Sequence, residues 1–396
     1  MTSSIIRTLG KLGRMRPLAV LLSVAGMLAL SACCPVHAAG SAAPPPPPPP
    51  QITITPADGA KDVKPAEPIS VSSKGGTLSS MTLTGPDGTP RPGALKGGTF
   101  VPTRLLATGT TYSVAATVVD TQGHKHTRIS HFTTLTPDTV NKITLLPSKD
   151  SVVGVGQPVS VLFDDPVTDK AAVERHLRVT SSNNTQGSWG WVKDFSGRDR
   201  IDWRPHTYWK PGTTVTLKAD LNGVDSGDGR YLVRDYATSF TIGRSQLAKV
   251  DLTAHRLTFY RDGKPVRTIP VSGGDHQHRT WSGIMLVLAK EGTVRMNSET
   301  VGMGSSYNLL VHNALRLTGS GTYAHQAEWA AAAIGRTNAS HGCIGMNPAD
   351  AAWLYRQAQV GDVFQVAGGK ETAAVGNGFG DWNLTWPAWQ HLSALS

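Results

Sequence analysis

The strongest constraint on the fold is a repeated pattern of alternating residues set between glycine turns. Gly109-Thr110-Thr111-Tyr112-Ser113-Val114 leads through a turn at Gln122-Gly123 to Phe132-Thr133-Thr134. Gly212-Thr213-Thr214-Val215-Thr216-Leu217 leads past Asp228-Gly229 to Phe240-Thr241-Ile242. Threonine alternating with apolar residues has the period of a strand with one buried face, and a repeat of about 105 residues is the size of an immunoglobulin-like sandwich. The chain therefore reads as mainly β, with two tandem immunoglobulin-like β-sandwiches over residues 51–136 and 137–244. A third β-rich domain follows over 245–369, and a Trp-rich extension over 370–396. Spacing the third domain is the plain role for the sandwiches. Glycan stacking on Trp189, Trp191, Trp203 and Trp209 is the sharper alternative, weighed against tryptophan as ordinary sandwich core.

With 3 cysteines in 396 residues, a disulfide framework is excluded and each cysteine needs its own account. Arg7, Lys11, Arg14 and Arg16 precede an uncharged apolar stretch over residues 17–32, which reads as an export signal too short to span a bilayer comfortably. Leu30-Ser31-Ala32-Cys33 resembles a lipobox, so residues 1–32 are expected to leave and Cys33 to carry lipid; cleavage near Ala38-Ala39 without lipid is the alternative. Cys34 has no assigned role. Residues 33–50 form a linker ending in seven consecutive prolines, a stiff spacer of about 3.1 Å per residue. The formal charge of +10 falls to +6 once the four basic leader residues are gone. No dense basic cluster remains, so nucleic acid is not an expected partner.

The third domain carries the chemistry. Ser340-His341-Gly342-Cys343-Ile344-Gly345-Met346 precedes a short helix, with Asn347 as N-cap and Pro348 in its first turn. Cys343 is the one cysteine beyond the leader region, and a thiol there reads as a nucleophile whose pKa a helix N-terminus or a histidine would lower. Two histidines could serve as its base: His341, on the same face of an extended segment, and His325, 18 residues upstream. Zinc held by His325, His341 and Cys343 lacks a fourth ligand and the usual spacing. His276 and His278, like His124 and His126, read as solvated loop residues.

A histidine, then 14 residues (326–339), then Ser-His-Gly-Cys and an apolar residue resembles the signature of the L,D-transpeptidases of the YkuD-like catalytic family. The wider architecture is similar to lipoprotein-type mycobacterial members, the fifth paralogue in particular. The resemblance implies a β-rich catalytic domain, Cys343 as nucleophile, His325 as general base oriented by the Gln326 carbonyl, and Ser340, His341 and Gly342 as the positioning loop. It further implies substrate contacts at Tyr307, near the oxyanion, and at Met296, with Trp329 and Asn338 completing the candidate substrate-binding set. Where the family has asparagine two residues after the cysteine, this chain has Gly345, which puts efficiency in doubt more than reaction class.

The implied reaction is cysteine acyl transfer without a cofactor or metal. A tetrapeptide stem of peptidoglycan donates its acyl group, D-Ala leaves, and a second stem accepts to give a 3→3 cross-link. Carbapenems would be covalent inhibitors. Residues 301–322, rich in Gly, Ser and Thr, are expected to act as a lid. The alternatives are an L,D-carboxypeptidase or endopeptidase using the same thioester, and a non-catalytic wall-binding lipoprotein. The expected location is the outer face of the plasma membrane, through the lipid anchor.

Overall fold

A computed structural model describes residues 47–301, 304, 305 and 307–396. The export signal, Cys33, Cys34 and most of the proline spacer lie outside the described residues.

The glycine turns behave as their sequence requires. Gly109 (φ 58°) and Gly212 (φ 76°) both occupy the left-handed region open to a residue without Cβ. Each then hands its N–H across the sheet, Gly109 to Leu135 O at 2.7 Å and Gly212 to Ile242 O at 2.8 Å. Beyond them, strands Thr111–Asp120 and Thr214–Ala219 alternate as expected, burying Val114, Ala116 and Val118 in one and Val215, Leu217 and Ala219 in the other. Each strand sits in a four-stranded sheet that faces a second four-stranded sheet. In the first sandwich, Ala60–Val63, Lys125–Thr134, Thr111–Asp120 and Gly76–Thr84 make one sheet. In the second, Val152–Val153, Tyr236–Ile242, Thr214–Ala219 and Leu177–Ser181 do the same.

Tryptophan in the second sandwich is core material. Trp203 and Trp209 stack at 5.3 Å between ring centroids, and Trp191, Trp203 and Trp209 are all buried. Their polar ends are satisfied internally: Trp191 Nε1 donates to Glu174 at 2.9 Å and Trp209 Nε1 to Gln157 O at 2.8 Å. Trp189 is half-buried against the same core. These rings are not presented for glycan stacking.

The third domain is built from two sheets. The larger runs Lys264–Pro270, Arg256–Arg261, Gln246–Asp251, Val363–Ala367, Gly283–Leu286. The smaller runs Ala289–Asn297, Asn308–Arg316, Tyr323–Gln326, Ile344–Met346. Helix Pro348–Gln357 begins where the sequence placed it: Asn347 Oδ1 accepts the Asp350 N–H at 2.9 Å and Pro348 occupies the first turn. It buries Ala351 and Leu354 in the core between the sheets. Within the segment read as a lid, Asn308–Arg316 is a strand of the smaller sheet.

The extension packs on the second sandwich. The Arg204 guanidinium faces the rings of Trp382, Trp386 and Trp389 at 4.7, 5.3 and 5.0 Å. Trp389 Nε1 donates to Ser188 O at 3.0 Å and Trp382 Nε1 to Gly156 O at 2.8 Å. Any Cβ at Gly190 would come within 2.7 Å of the Trp389 ring, so glycine is what lets the indole in. Leu286 and Val363 of the third domain and Phe379 of the extension share one hydrophobic core with the second sandwich. Trp389 is fully buried, so Trp389→Ala is expected to remove about 3–5 kcal/mol of stability. Urea unfolding followed by tryptophan fluorescence would show this as an earlier transition, whereas an unchanged midpoint would mean the extension contributes no anchoring.

Candidate active site

The site rests on one pairing. Tyr323–Gln326 and Ile344–Met346 lie parallel, with Ala324 opposite Ile344 and His325 opposite Gly345. Successive strand side chains alternate faces, so Cys343, two residues before Gly345, is carried to the same side as His325. Both line a cleft of about 640 Å³. Ser272 holds the pair from outside, exchanging backbone hydrogen bonds with Gly345 at 2.8 and 2.9 Å.

His325 is buried, and its Nδ1–H donates to the Gln326 carbonyl oxygen at 2.6 Å. A carbonyl can only accept, so Nδ1 carries the proton and the Nε2 lone pair is free to act as base. Burial holds the imidazole below its ordinary pKa, opposed by that hydrogen bond, which keeps it neutral at pH 7. The orienting partner is thus the backbone of the next residue, as the resemblance implied.

Cys343 departs from expectation. The helix begins at Pro348, with strand Ile344–Met346 in between, so the helix terminus does not adjoin the thiol. Burial instead pushes the thiol up to about 11. The sulfur lies 3.8 Å from Gly321 O, and Cys343 packs with Met296 against Val311, Ala314 and Tyr323. Resting thiol and imidazole are both uncharged.

The loop before the cysteine is tied to itself and to its neighbour. Ser340 Oγ donates to Cys343 O at 2.7 Å and accepts the Gly342 N–H at 3.2 Å. Ser340 N donates to Gly273 O at 2.9 Å and Asp275 N to Ser340 O at 2.8 Å. Gly342, at φ 117°, takes a conformation that a side chain would strain. His341 lines the cleft between two rings, Tyr307 and His278, each 4.9 Å away between centroids. His341 is therefore packed into the cleft wall between two rings. Burial raises the Tyr307 hydroxyl, and a thiolate at Cys343 would raise it further, so Tyr307 remains an O–H donor.

Of the expected substrate contacts, Tyr307, Met296 and Trp329 line the cleft. Trp329 is 51% exposed and stacks 6.0 Å from His325. Asn338 does not line it. Its Nδ2 donates to Leu252 O at 2.9 Å and its Oδ1 accepts the Gly273 N–H at 2.8 Å, so the amide is used to pin two loops together. At Gly345 a Cβ would meet the Ala327 Cβ at 3.0 Å, a tight fit beside the base. Sequence reasoning missed Ser272, His278, Arg279, Trp281 and Lys370, all of which line the cleft. Two histidines and an arginine within five residues of Gly274 were the available signal. His278 is held at the cleft by Asp275, 3.1 Å from its Nδ1, and is not the solvated loop residue expected.

A thiol raised to about 11 makes a pH prediction. The thiolate fraction grows about tenfold per pH unit until the pKa is reached. Alkylation of Cys343 by iodoacetamide should therefore be slow at pH 7 and still rising above pH 9.5. A plateau below pH 9 would show a preformed thiolate and overturn the neutral pair.

Residues 245–366 match the L,D-transpeptidase catalytic domain family, YkuD, and residues 60–225 match a bacterial Ig domain family. The chain is 32% identical over 347 residues to L,D-transpeptidase 2 of Mycobacterium tuberculosis, covering 86% of this chain and 84% of that one. It is 32% identical over 351 residues to L,D-transpeptidase 5 of the same organism, covering 87% and 77%. The solved structure of LD transpeptidase LdtMt1 in complex with imipenem matches at 36% identity and a TM-score of 0.50, covering 58% of this chain and 100% of that chain. With the His325–Cys343 cleft, these similarities over most of both chains place the protein: it belongs to the L,D-transpeptidase family.

Proposed function

We propose that the chain forms 3→3 cross-links between peptidoglycan stem peptides, with Cys343 as the nucleophile and His325 as the base. The observation that carries this reading is the Nδ1–H of His325 fixed on the Gln326 carbonyl, which leaves Nε2 as the proton acceptor in the cleft that holds Cys343.

Because thiol and imidazole are both neutral at rest, proton transfer accompanies attack. His325 Nε2 takes the thiol proton as Sγ bonds to the carbonyl carbon between the L-centre of diaminopimelate and the terminal D-Ala. The oxyanion so formed needs donors, and the Tyr307 hydroxyl is held on the cleft wall for that role. Losing one such donor costs about 2.7–4 kcal/mol. As the intermediate collapses the C–N bond breaks, the imidazolium returns its proton to the departing D-Ala nitrogen, and a thioester remains. The neutral side-chain amine of a second stem then attacks. A C–N bond forms, the C–S bond breaks, and the amine proton passes through His325 back to sulfur.

The imipenem complex of the relative supports a further part of the reading, that carbapenems acylate Cys343 here. The lipobox supports a third: the mature chain is anchored through Cys33 at the outer face of the plasma membrane, where its substrate lies. The Gly345 side of the cleft, without an amide, leaves transfer chemistry to the cysteine and histidine.

Incubating the purified protein with a disaccharide-tetrapeptide and weighing the products tests the reaction. Dimers with loss of D-Ala are expected; tripeptide alone would mean hydrolysis, and unchanged substrate would sink the enzyme reading. Cys343→Ala should abolish both turnover and the carbapenem adduct. His325→Gln should lower kcat/KM by about 10²–10⁴.

A further inference from the structure

The cleft around Cys343 is lined unevenly in charge. No aspartate or glutamate is among its described lining residues, whereas Arg279 and Lys370 both line it from segments distant in the chain. Backbone pairing brings those segments together. Lys370 N donates to Thr280 O at 2.8 Å, Ser282 N to Glu371 O at 3.1 Å and Ala373 N to Ser282 O at 3.0 Å. The Arg279 guanidinium donates to the Gly369 carbonyl, and Lys370 Nζ stands 3.5 Å from the centroid of the Trp281 ring. Among the described residues neither cation has a carboxylate partner. Asp275 is engaged by His278. Two like charges on one rim, without a counter-ion from the protein, favour an anionic ligand.

The rim adjoins the reacting loop. His278, the residue before Arg279, packs its ring on His341, and its carbonyl oxygen lies 3.6 Å from where a Cβ of Gly342 would stand. The lining residues from the other stretch of chain, Trp329, Ala330, Ala332 and Ala333, carry no charge.

The chemistry of acyl transfer says which anion belongs there. Resting on the function proposed above, the nitrogen that leaves is the α-nitrogen of D-Ala, and the adjacent carbon bears a carboxylate. The nitrogen that enters is an amine of diaminopimelate, whose carbon also bears a carboxylate. Leaving and entering nitrogens occupy the same position relative to the acyl carbon, so their carboxylates fall in the same place. We propose that Arg279 and Lys370 form a carboxylate subsite, used first by the departing D-Ala and then by the acceptor amine. Water brings no carboxylate, so the subsite raises the local concentration of amine and not of water.

The test compares two donors on the full-length protein: a disaccharide-tetrapeptide ending in D-Ala and the same compound ending in D-alaninamide. Wild type should favour the acid by at least tenfold in kcat/KM. In the Arg279→Gln/Lys370→Gln variant that ratio should fall to near one, chiefly through KM for the acid, and the share of tripeptide among products should rise. The charge-retaining Arg279→Lys/Lys370→Arg variant should restore most of the preference. Equal use of acid and amide by wild type overturns the subsite and leaves transfer standing, and so does a variant that keeps the wild-type ratio. Turnover of neither donor by wild type would instead remove the acyl-transfer reading on which the subsite rests.

Discussion

Everything the site does depends on the parallel pairing of Tyr323–Gln326 with Ile344–Met346. Parallel neighbours cannot be joined by a tight turn, so the intervening residues must leave the sheet and return. They do so as the cleft wall that carries Trp329 and the small residues beyond it. Around this pairing the histidine is buried and the cysteine half-buried, and loss of solvent sets their protonation: the imidazole is held down and the thiol pushed up. Thiol oxidation follows thiolate character, so a sulfur kept protonated at rest is slow to oxidise. The single hydrogen bond from Nδ1 to Gln326 O is what leaves the His325 Nε2 lone pair unprotonated.

What could be read from the sequence was local. The glycine turns at Gly109 and Gly212, the alternating strands after them, and the Asn347-Pro348 helix start each depend on residues within a few positions. So does the Ser-His-Gly-Cys loop, whose hydroxyl bonds its own backbone. The misreadings came from longer range. A helix close in sequence to Cys343 suggested a lowered thiol pKa, but a three-residue strand separates them and burial decides instead. Asn338 sits just before the catalytic loop, yet its amide is spent on Leu252 and Gly273, some 65 and more positions away. Arg279 and Lys370 become neighbours only through backbone pairing between their segments. No spacing rule connects residues joined in that way.

The second sandwich and the catalytic domain are joined twice. The chain passes directly from one to the other, and the extension returns to lay Trp382, Trp386 and Trp389 on Arg204. Between these connections runs a continuous core shared by Leu286, Val363, Phe379 and the sandwich. This fixes how tension would travel. A transpeptidase holds a polymer in its cleft, so a pull on that polymer is a load on the catalytic domain. A lone peptide link would turn as a swivel under such a load. Here the load is shared among buried rings and the hydrogen bonds of Trp382 and Trp389. Two connections and one shared core leave the catalytic domain no single bond to turn about on the sandwich.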